Sequence, residues 1–137
     1  MFLTKECDYG VRIIRALSHE ERMTVEAIST AEHIPQQYAY KILKKLEIAG
    51  YVQGFRGRDG GYRLGVALDS FSLYDVVDAI DKNLFVHECL REDKPCPHKG
   101  TGADILCKVH HELGRVQKLI VEEMQKKNMQ EVLKGEM

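Results

Sequence analysis

The chain has 137 residues, of which 44% are hydrophobic and 30% are charged, and its formal net charge is −1. This length favours one domain with at most a short appended piece. No apolar run approaches the ~20 residues that a membrane-spanning helix needs, and the first residues, MFLTKECDYG, reach charged side chains too early for a secretory signal. We therefore expect a cytoplasmic protein with no membrane partner.

The charges are distributed unevenly along the chain. Residues 36 to 63 carry six basic and two acidic side chains, a net charge of +4, which leaves −5 for the remainder. A basic region on a nearly neutral protein predicts a polyanionic partner at one face. A solvated charged surface has the same composition, so the charge pattern alone leaves both interpretations open.

Three helices are predicted before the first strand. Apolar residues at spacings of three and four predict a first helix over residues 3–18. Thr24 is a suitable N-cap for a short second helix that ends near Ala31. Pro35 suits the first turn of a third helix over residues 35–49, which Gly50 then terminates.

The third helix has two faces of different chemistry. Its apolar face is predicted to pack inward and contains Ala39, Ile42, Leu43 and Leu46. The opposite face contains Gln37, Tyr40, Lys41 and Lys44. Amide, phenol and ammonium groups suit base edges and phosphates, although an ordinary amphipathic helix with lysines in water has the same pattern.

A basic hairpin follows the third helix. The segments YVQGF and YRLGV are predicted strands, and the glycines of RGRDGG suit the turn between them. Arg56 and Arg58 lie at its tip. Two short helices, a third with a polar outer face and a basic hairpin together predict a winged helix-turn-helix domain, whose third helix enters a major groove while the hairpin meets the backbone or the minor groove. A surface turn with incidental arginines is the alternative.

The C-terminal part is predicted to be helical on both sides of a long loop. SLYD, from Ser72 to Asp75, is a capping box for a helix that ends near Ile80. After a loop of about twenty residues, an apolar stripe predicts a helix from about Ala103 to Gln125, followed by a short tail helix in MQEVLKG. The apolar stripe of this long helix needs a partner surface. A second copy of the chain would supply it in a homodimer, and packing of the helix on its own domain is the alternative.

These elements give a mostly α fold with a small β-hairpin wing and a long C-terminal dimerisation helix. The predicted division is a DNA-binding domain over 1–80, a cysteine-bearing loop over 81–102, and a dimerisation helix with its tail over 103–137.

Three of the four cysteines lie in and after the long loop. Cys89 and Cys96 are separated by six residues, and Cys96 and Cys107 by ten. Because cytosolic thiols are kept reduced, clustered cysteines point to metal or redox chemistry rather than to structural disulfides. Zinc and a thiol–disulfide switch are both compatible with these residues. His110 lies three residues after Cys107, so its imidazole is a possible further ligand.

Four segments resemble the IscR/NsrR/RirA (Rrf) family of bacterial winged-helix transcription regulators, which also includes the cysteine-metabolism repressor CymR. DYGVRIIRALS is similar to the first helix of that family, and HIPQQYAYKILKKLEIAGYV to its recognition helix. RGRDGGYRL is similar to its wing signature, and SFSLYDVVDAID to the helix after the wing.

The resemblance implies a homodimer on a roughly palindromic DNA operator. Matching positions place Gln37, Tyr38, Tyr40 and Lys41 at the major groove and Arg56 in the minor groove.

The resemblance also implies an iron–sulfur cluster held by Cys89, Cys96 and Cys107, of either the 2Fe–2S or the 4Fe–4S type. The better-known members have shorter cysteine spacings. The fourth ligand implied by the nitric-oxide-sensing members is Asp8, supplied by the partner subunit, and His110 is the rival.

The sequence therefore predicts a regulator, acting as a repressor, that senses iron–sulfur status, nitric oxide or redox state. The alternative is a cluster-free regulator of the same fold that responds to thiol state, zinc or a protein partner. An enzyme is not expected, because no nucleophile–base pair accompanies a phosphate loop or an oxyanion motif.

Overall fold

The computed structural model describes residues 3–92 and 107–135. The helices and strands, in chain order, are α1 Lys5–His19, α2 Val25–Glu32, α3 Gln36–Ile48, β1 Val52–Phe55, β2 Gly61–Leu64, α4 Leu73–Ile80, α5 Lys108–Gln125 and α6 Met129–Lys134. Short 3-10 turns occupy Leu68–Ser70 and Glu88–Leu90. The predicted mostly helical fold with one small hairpin is confirmed.

Side-chain caps fix the starts of several helices where the sequence predicted them. Thr24 accepts a hydrogen bond from the Ala27 N–H at 3.1 Å at the start of α2. Ser72 and Asp75 form the predicted capping box of α4. A second capping box, of Asn128 with Glu131, begins α6 and was not predicted from the sequence.

The core lies where α1 packs against α2, α3 and α4, and we call α1 to α4 with the hairpin the winged domain. Its fully buried side chains come from all four helices and include Ile13, Ile14, Ile28, Ile42, Leu43, Leu46, Val76 and Val77. Gly10 sets the crossing of α1 and α4, because a Cβ there would lie 2.9 Å from Ile80 Cγ1. The two helices therefore approach more closely than a side chain at this position would allow.

The hairpin is antiparallel, with Val52 opposite Leu64 and Phe55 opposite Gly61. Met23 extends it by one bridge, since its N–H donates to Tyr62 O at 2.9 Å and its carbonyl accepts from the Tyr62 N–H at 2.7 Å. Gly61 has φ +140°, and a Cβ there would lie 2.7 Å from Met23 O. The chain before α2 thus holds the hairpin against the helices.

The C-terminal helices both contact the winged domain. α5 packs along α4, and Gln117 Nε2 donates to Leu84 O at 2.5 Å. After α5, the Met129 N–H donates to Phe71 O at 2.8 Å. The Met129 side chain is fully buried in the core. The tail helix therefore returns to the winged domain.

Candidate functional site

The outer face of α3 presents polar side chains to solvent. The inward residues Ala39, Ile42, Leu43 and Leu46 are fully buried, which leaves the other side of the helix uncovered. The exposed side chains are those that the sequence placed there: Gln37, Tyr38, Tyr40, Lys41 and Lys44. Tyr40 is 57% exposed, so its phenol projects well away from the core.

The tip of the hairpin presents two unpaired arginines. Gly57 has φ +96°, and the Gly60 N–H donates to Gly57 O at 2.9 Å to close the turn. A Cβ at Gly60 would lie 2.8 Å from Gly57 O, so the tight turn requires glycine there. Arg56 and Arg58 are exposed, and no hydrogen bond or ion pair links either to another residue of the described ranges.

The outer face of α3 and the hairpin tip enclose a common groove. Tyr40 on one side and Arg56 and Arg58 on the other line a concavity of about 460 Å³. The start of α2 forms its third wall. The structure thus brings together residues that the sequence assigned separately to the helix and to the wing.

Arg22 supports the hairpin, a role that the sequence did not reveal. Its guanidinium lies over the Phe55 ring at 4.2 Å from the centroid, and its Nη1 donates to Asp59 O in the turn at 2.5 Å. Arg63 also stacks on Phe55, at 4.8 Å. Arg22 and Asp59 are 37 positions apart, so no local pattern predicts their contact.

Lys41 differs from Lys44, Arg56 and Arg58 because it has an acidic partner among the described residues. Its Nζ lies 2.8 Å from Glu6 Oε1 in the first turn of α1. The hydrogen bond from Lys41 lowers the pKa of Glu6, against a smaller opposing effect of burial. The same bond raises the pKa of Lys41. Tyr38 also faces α1, with its ring 6.0 Å from that of Tyr9.

Two of the three predicted cluster cysteines lie in the described segments, and both are half-buried thiols outside any disulfide. Cys89 lies in the 3-10 turn whose Leu90 packs near Gly114 of α5, and its N–H donates to His87 Nδ1 at 3.2 Å. Cys107 is the N-cap of α5, where its Sγ accepts from the His110 N–H at 3.4 Å. Cys96 lies outside the described residues.

The position of Cys107 differs from the prediction that it shares a helix with His110. α5 begins at Lys108, and Cys107 has extended backbone angles. The predicted start near Ala103 lies outside the described residues. A helix N-terminus attracts negative charge, so an N-cap position suits a thiolate ligand.

The two candidate fourth ligands have different surroundings. The Asp8 side chain is 52% exposed on α1 and pairs with Arg12 at 2.9 Å. The His110 side chain is half-buried on α5. Within residues 3–92 and 107–135, no three His, Cys, Asp or Glu side chains come close enough to hold a metal ion. One chain therefore does not gather Asp8, Cys89 and Cys107 at one point.

Comparison with known proteins identifies the family. Residues 3–135 match the model of the Rrf2 family, whose description is "Iron-dependent Transcriptional regulator". The chain belongs to the Rrf2 family. Membership places it among transcription regulators rather than enzymes, as the sequence predicted.

Individual relatives are similar at the level of about one residue in three. The chain is 33% identical to protein aau3 of Rhizobium meliloti over 71% of this chain and 65% of that protein. It is 30% identical to the transcriptional regulator NsrR of Bacillus subtilis, over 69% of this chain and 66% of the relative. The matched stretch thus spans just under two thirds of the relatives' own length.

Solved structures share the fold at lower identity. CymR, the global cysteine regulator of B. subtilis, gives a TM-score of 0.72 at 18% identity, covering 100% of this chain and 99% of that chain. T. potens IscR gives 0.67 at 18% identity, covering 98% and 87%. These values support the winged-helix fold. In the described part of the chain, no helix combines the length and apolar character needed to cross a bilayer.

Proposed function

We propose that this protein is a homodimeric DNA-binding transcription regulator, acting as a repressor, that reads DNA with α3 and the hairpin. The observation that carries the proposal is the shared groove lined by Tyr40, Arg56 and Arg58. A helix with an exposed polar face suits the major groove. Arg56 and Arg58, which have no partner among the described residues, lie at the tip of a glycine-rich turn and suit phosphates or a narrow minor groove. Such a partner requires the compartment that holds the DNA, which is the cytoplasm in bacteria.

Site selection from random duplexes tests DNA binding. We call the outer face of α3 together with the hairpin tip the reading surface. We expect enrichment of a roughly palindromic sequence, because the two reading surfaces of a dimer are related by two-fold symmetry. Arg56→Ala should weaken binding and reduce the slope of log affinity against log salt by about one, the effect of losing one phosphate contact. Lys118→Gln, which removes one exposed charge from α5, is the matched control. Failure of the native protein to enrich any duplex would refute this proposal.

The apolar stripe of α5 supports the homodimer. None of the 18 residues of α5 is buried in the single chain, and Val109 is 68% exposed. Its neighbours Leu113, Val116 and Ile120 continue the stripe at spacings of three and four. An apolar stripe that the winged domain covers only in part favours a helical partner.

Sedimentation of a charged variant tests the dimer. Val109→Lys places an ammonium in the stripe and should shift the protein from dimer to monomer. Gln125→Lys adds the same charge on the opposite side of α5 and should leave the dimer intact. Unchanged sedimentation of Val109→Lys would remove α5 as the dimer surface.

A cysteine-bound iron–sulfur cluster is the proposed sensory group. Cys89, Cys96 and Cys107 would hold it, and their thiols fit because thiolates are the usual ligands of such clusters. Asp8 of the partner subunit is the proposed fourth ligand, and its exposed carboxylate is compatible with a contact between subunits. When bound, the cluster would supply reactivity toward nitric oxide and oxygen. Under iron shortage its occupancy would fall.

The residues of this chain would make DNA affinity depend on whether the cluster is bound. Cys89 and Cys107 lie on two segments that both touch α5, so holding both thiols would fix the start of α5 relative to the 3-10 turn. Because a dimer fills two grooves only at one separation, a change at α5 alters the spacing of the two reading surfaces. The two states must differ in DNA affinity for this to regulate anything.

Anaerobic purification followed by iron, acid-labile sulfide and zinc analysis tests the cluster. Iron with matching sulfide supports it, and Asp8→Ala and His110→Ala then decide the fourth ligand. Zinc alone, or no metal from iron-replete cells, would contradict it and favour the cluster-free regulator that responds to thiol state, zinc or a protein partner.

A further inference from the structure

Glu6 lies at the corner where α1, α3 and α4 meet. Its Oε1 is 2.8 Å from Lys41 Nζ and its Oε2 is 3.4 Å from Lys45 Nζ. Lys45 Nζ also donates to Ile80 O at the end of α4, at 3.0 Å. One carboxylate therefore serves two lysines that are one helical turn apart on α3.

The two lysines depend on Glu6 to different degrees. Lys45 is the more covered of the two, with a side chain 35% exposed, and it keeps the Ile80 carbonyl as a second acceptor. The Lys41 side chain is 56% exposed, and among the described residues Glu6 is its one hydrogen-bond partner. Lys41 is thus the lysine that an external anion could take over.

The other basic groups of the proposed DNA surface are not masked in this way. Lys44, Arg56 and Arg58 are exposed and have no acidic partner within the described ranges. Glu6 itself is only 28% exposed. The hydrogen bond from Lys41 is the main cause that lowers the pKa of Glu6, which favours the carboxylate form.

We infer that Glu6 is a built-in competitor of the DNA backbone, which lowers the affinity of the reading surface by holding Lys41. This inference rests on the proposed DNA-binding function. A phosphate that approaches Lys41 must either displace the Glu6 carboxylate or lie beside it. Both arrangements cost free energy, because an ion pair is lost in the first and two anions are neighbours in the second.

Glu6→Gln is the sharpest test because it removes the charge and keeps the size of the side chain and one of its two acceptor oxygens. Binding is measured by fluorescence anisotropy on a labelled mixed-sequence duplex over a series of salt concentrations. We expect roughly two- to fivefold tighter binding at low salt, the scale of one exposed charge interaction. The salt slope should grow by about one if Lys41 gains a phosphate that it does not contact in the native protein.

Glu122→Gln is the matched control, since it makes the same change of net charge on an exposed residue of α5. Equal affinities for the two variants would overturn the inference, and so would weaker binding by Glu6→Gln. In a Lys41→Gln background the gain from Glu6→Gln should vanish, because Glu6 acts through Lys41. A gain that persists there would assign the effect to general charge instead.

A second comparison does not depend on how well Glu6→Gln folds. Lys41→Gln should reduce the salt slope of binding less than Lys44→Gln does, because Lys41 is held by Glu6 instead of by a phosphate. An equal or larger reduction for Lys41→Gln would contradict the inference. Native protein that binds no duplex at any salt concentration would instead refute the DNA-binding proposal itself, so the two failures are distinguishable.

Discussion

The winged domain and α5 differ in how far they bury their apolar side chains. α3 buries Ala39, Ile42, Leu43 and Leu46 completely within 13 residues, whereas α5 buries none of its 18. Both helices are amphipathic in sequence, so the pattern alone does not distinguish them. The difference teaches that one chain completes the core behind α3 but covers the apolar stripe of α5 only in part.

Removal of a core side chain from α3 should have the largest effect. Leu43 is fully buried, so Leu43→Ala should lower the free energy of unfolding by about 2–5 kcal/mol. Urea denaturation measures it. Ile48→Ala is the control on the same helix, because Ile48 is 80% exposed, and its effect should stay within about 0.5 kcal/mol. Similar losses of unfolding free energy for Leu43→Ala and Ile48→Ala would show that the buried side of α3 is not more important for stability than its exposed side.

Two glycine substitutions should act in opposite directions. Gly10→Ala places a Cβ 2.9 Å from Ile80 Cγ1, and forcing α1 and α4 apart should cost about 1–3 kcal/mol. Among the described residues, a Cβ at Gly114 in α5 would meet only Leu90 Cδ2, at 3.8 Å, and Gly114→Ala should gain up to about 1 kcal/mol from helix propensity. Thermal unfolding of both variants checks the signs. A stabilised Gly10→Ala would show that the crossing of α1 and α4 is loosely packed.

Arg22→Ala should have an intermediate effect that is confined to the stability of the hairpin. It removes the stacking on Phe55 and the hydrogen bond to Asp59 O, together worth about 1–2 kcal/mol. Hydrogen exchange should show faster opening in the hairpin while the helices remain protected. Arg12→Ala removes an arginine from α1, away from the hairpin, and serves as the control. Unchanged exchange in the hairpin would mean that Arg22 does not hold the turn.

Val109→Ala in the apolar stripe of α5 should have the smallest effect on the single chain. Val109 is 68% exposed, so the monomer should lose less than about 0.5 kcal/mol. In a dimer the loss should depend on protein concentration, because association and folding are then linked. Denaturation at two protein concentrations distinguishes the α5 variant from Leu43→Ala, because the stability loss from Leu43→Ala should be the same at both concentrations.

The sequence predicted what short-range patterns determine. Thr24 and the Ser72–Asp75 box mark helix starts because capping depends on residues three apart. The apolar period of α3 located both its buried side and its exposed side. The glycines of RGRDGG located the turn because positive φ and close backbone approach limit the residues allowed there.

Contacts between distant segments were not predictable in this way. The Glu6–Lys41 pair joins residues 35 positions apart, and nothing in either local sequence specifies the other. The burial of Met129 is similar: the tail helix was predicted, but its return to the core depends on packing. Cys107 as an N-cap was also missed, because the apolar stripe continues before it and indicated a longer helix.

The attachment of α6 has a mechanical consequence. Only Lys126 and Lys127 separate the end of α5 from Asn128, which bridges to Ser72, and the next residue, Met129, is fixed in the core. A tilt of α5 would therefore pull on Asn128 and, through its bridge to Ser72, on the start of α4. Movement of the long helix and of α4 would be coupled by this connection.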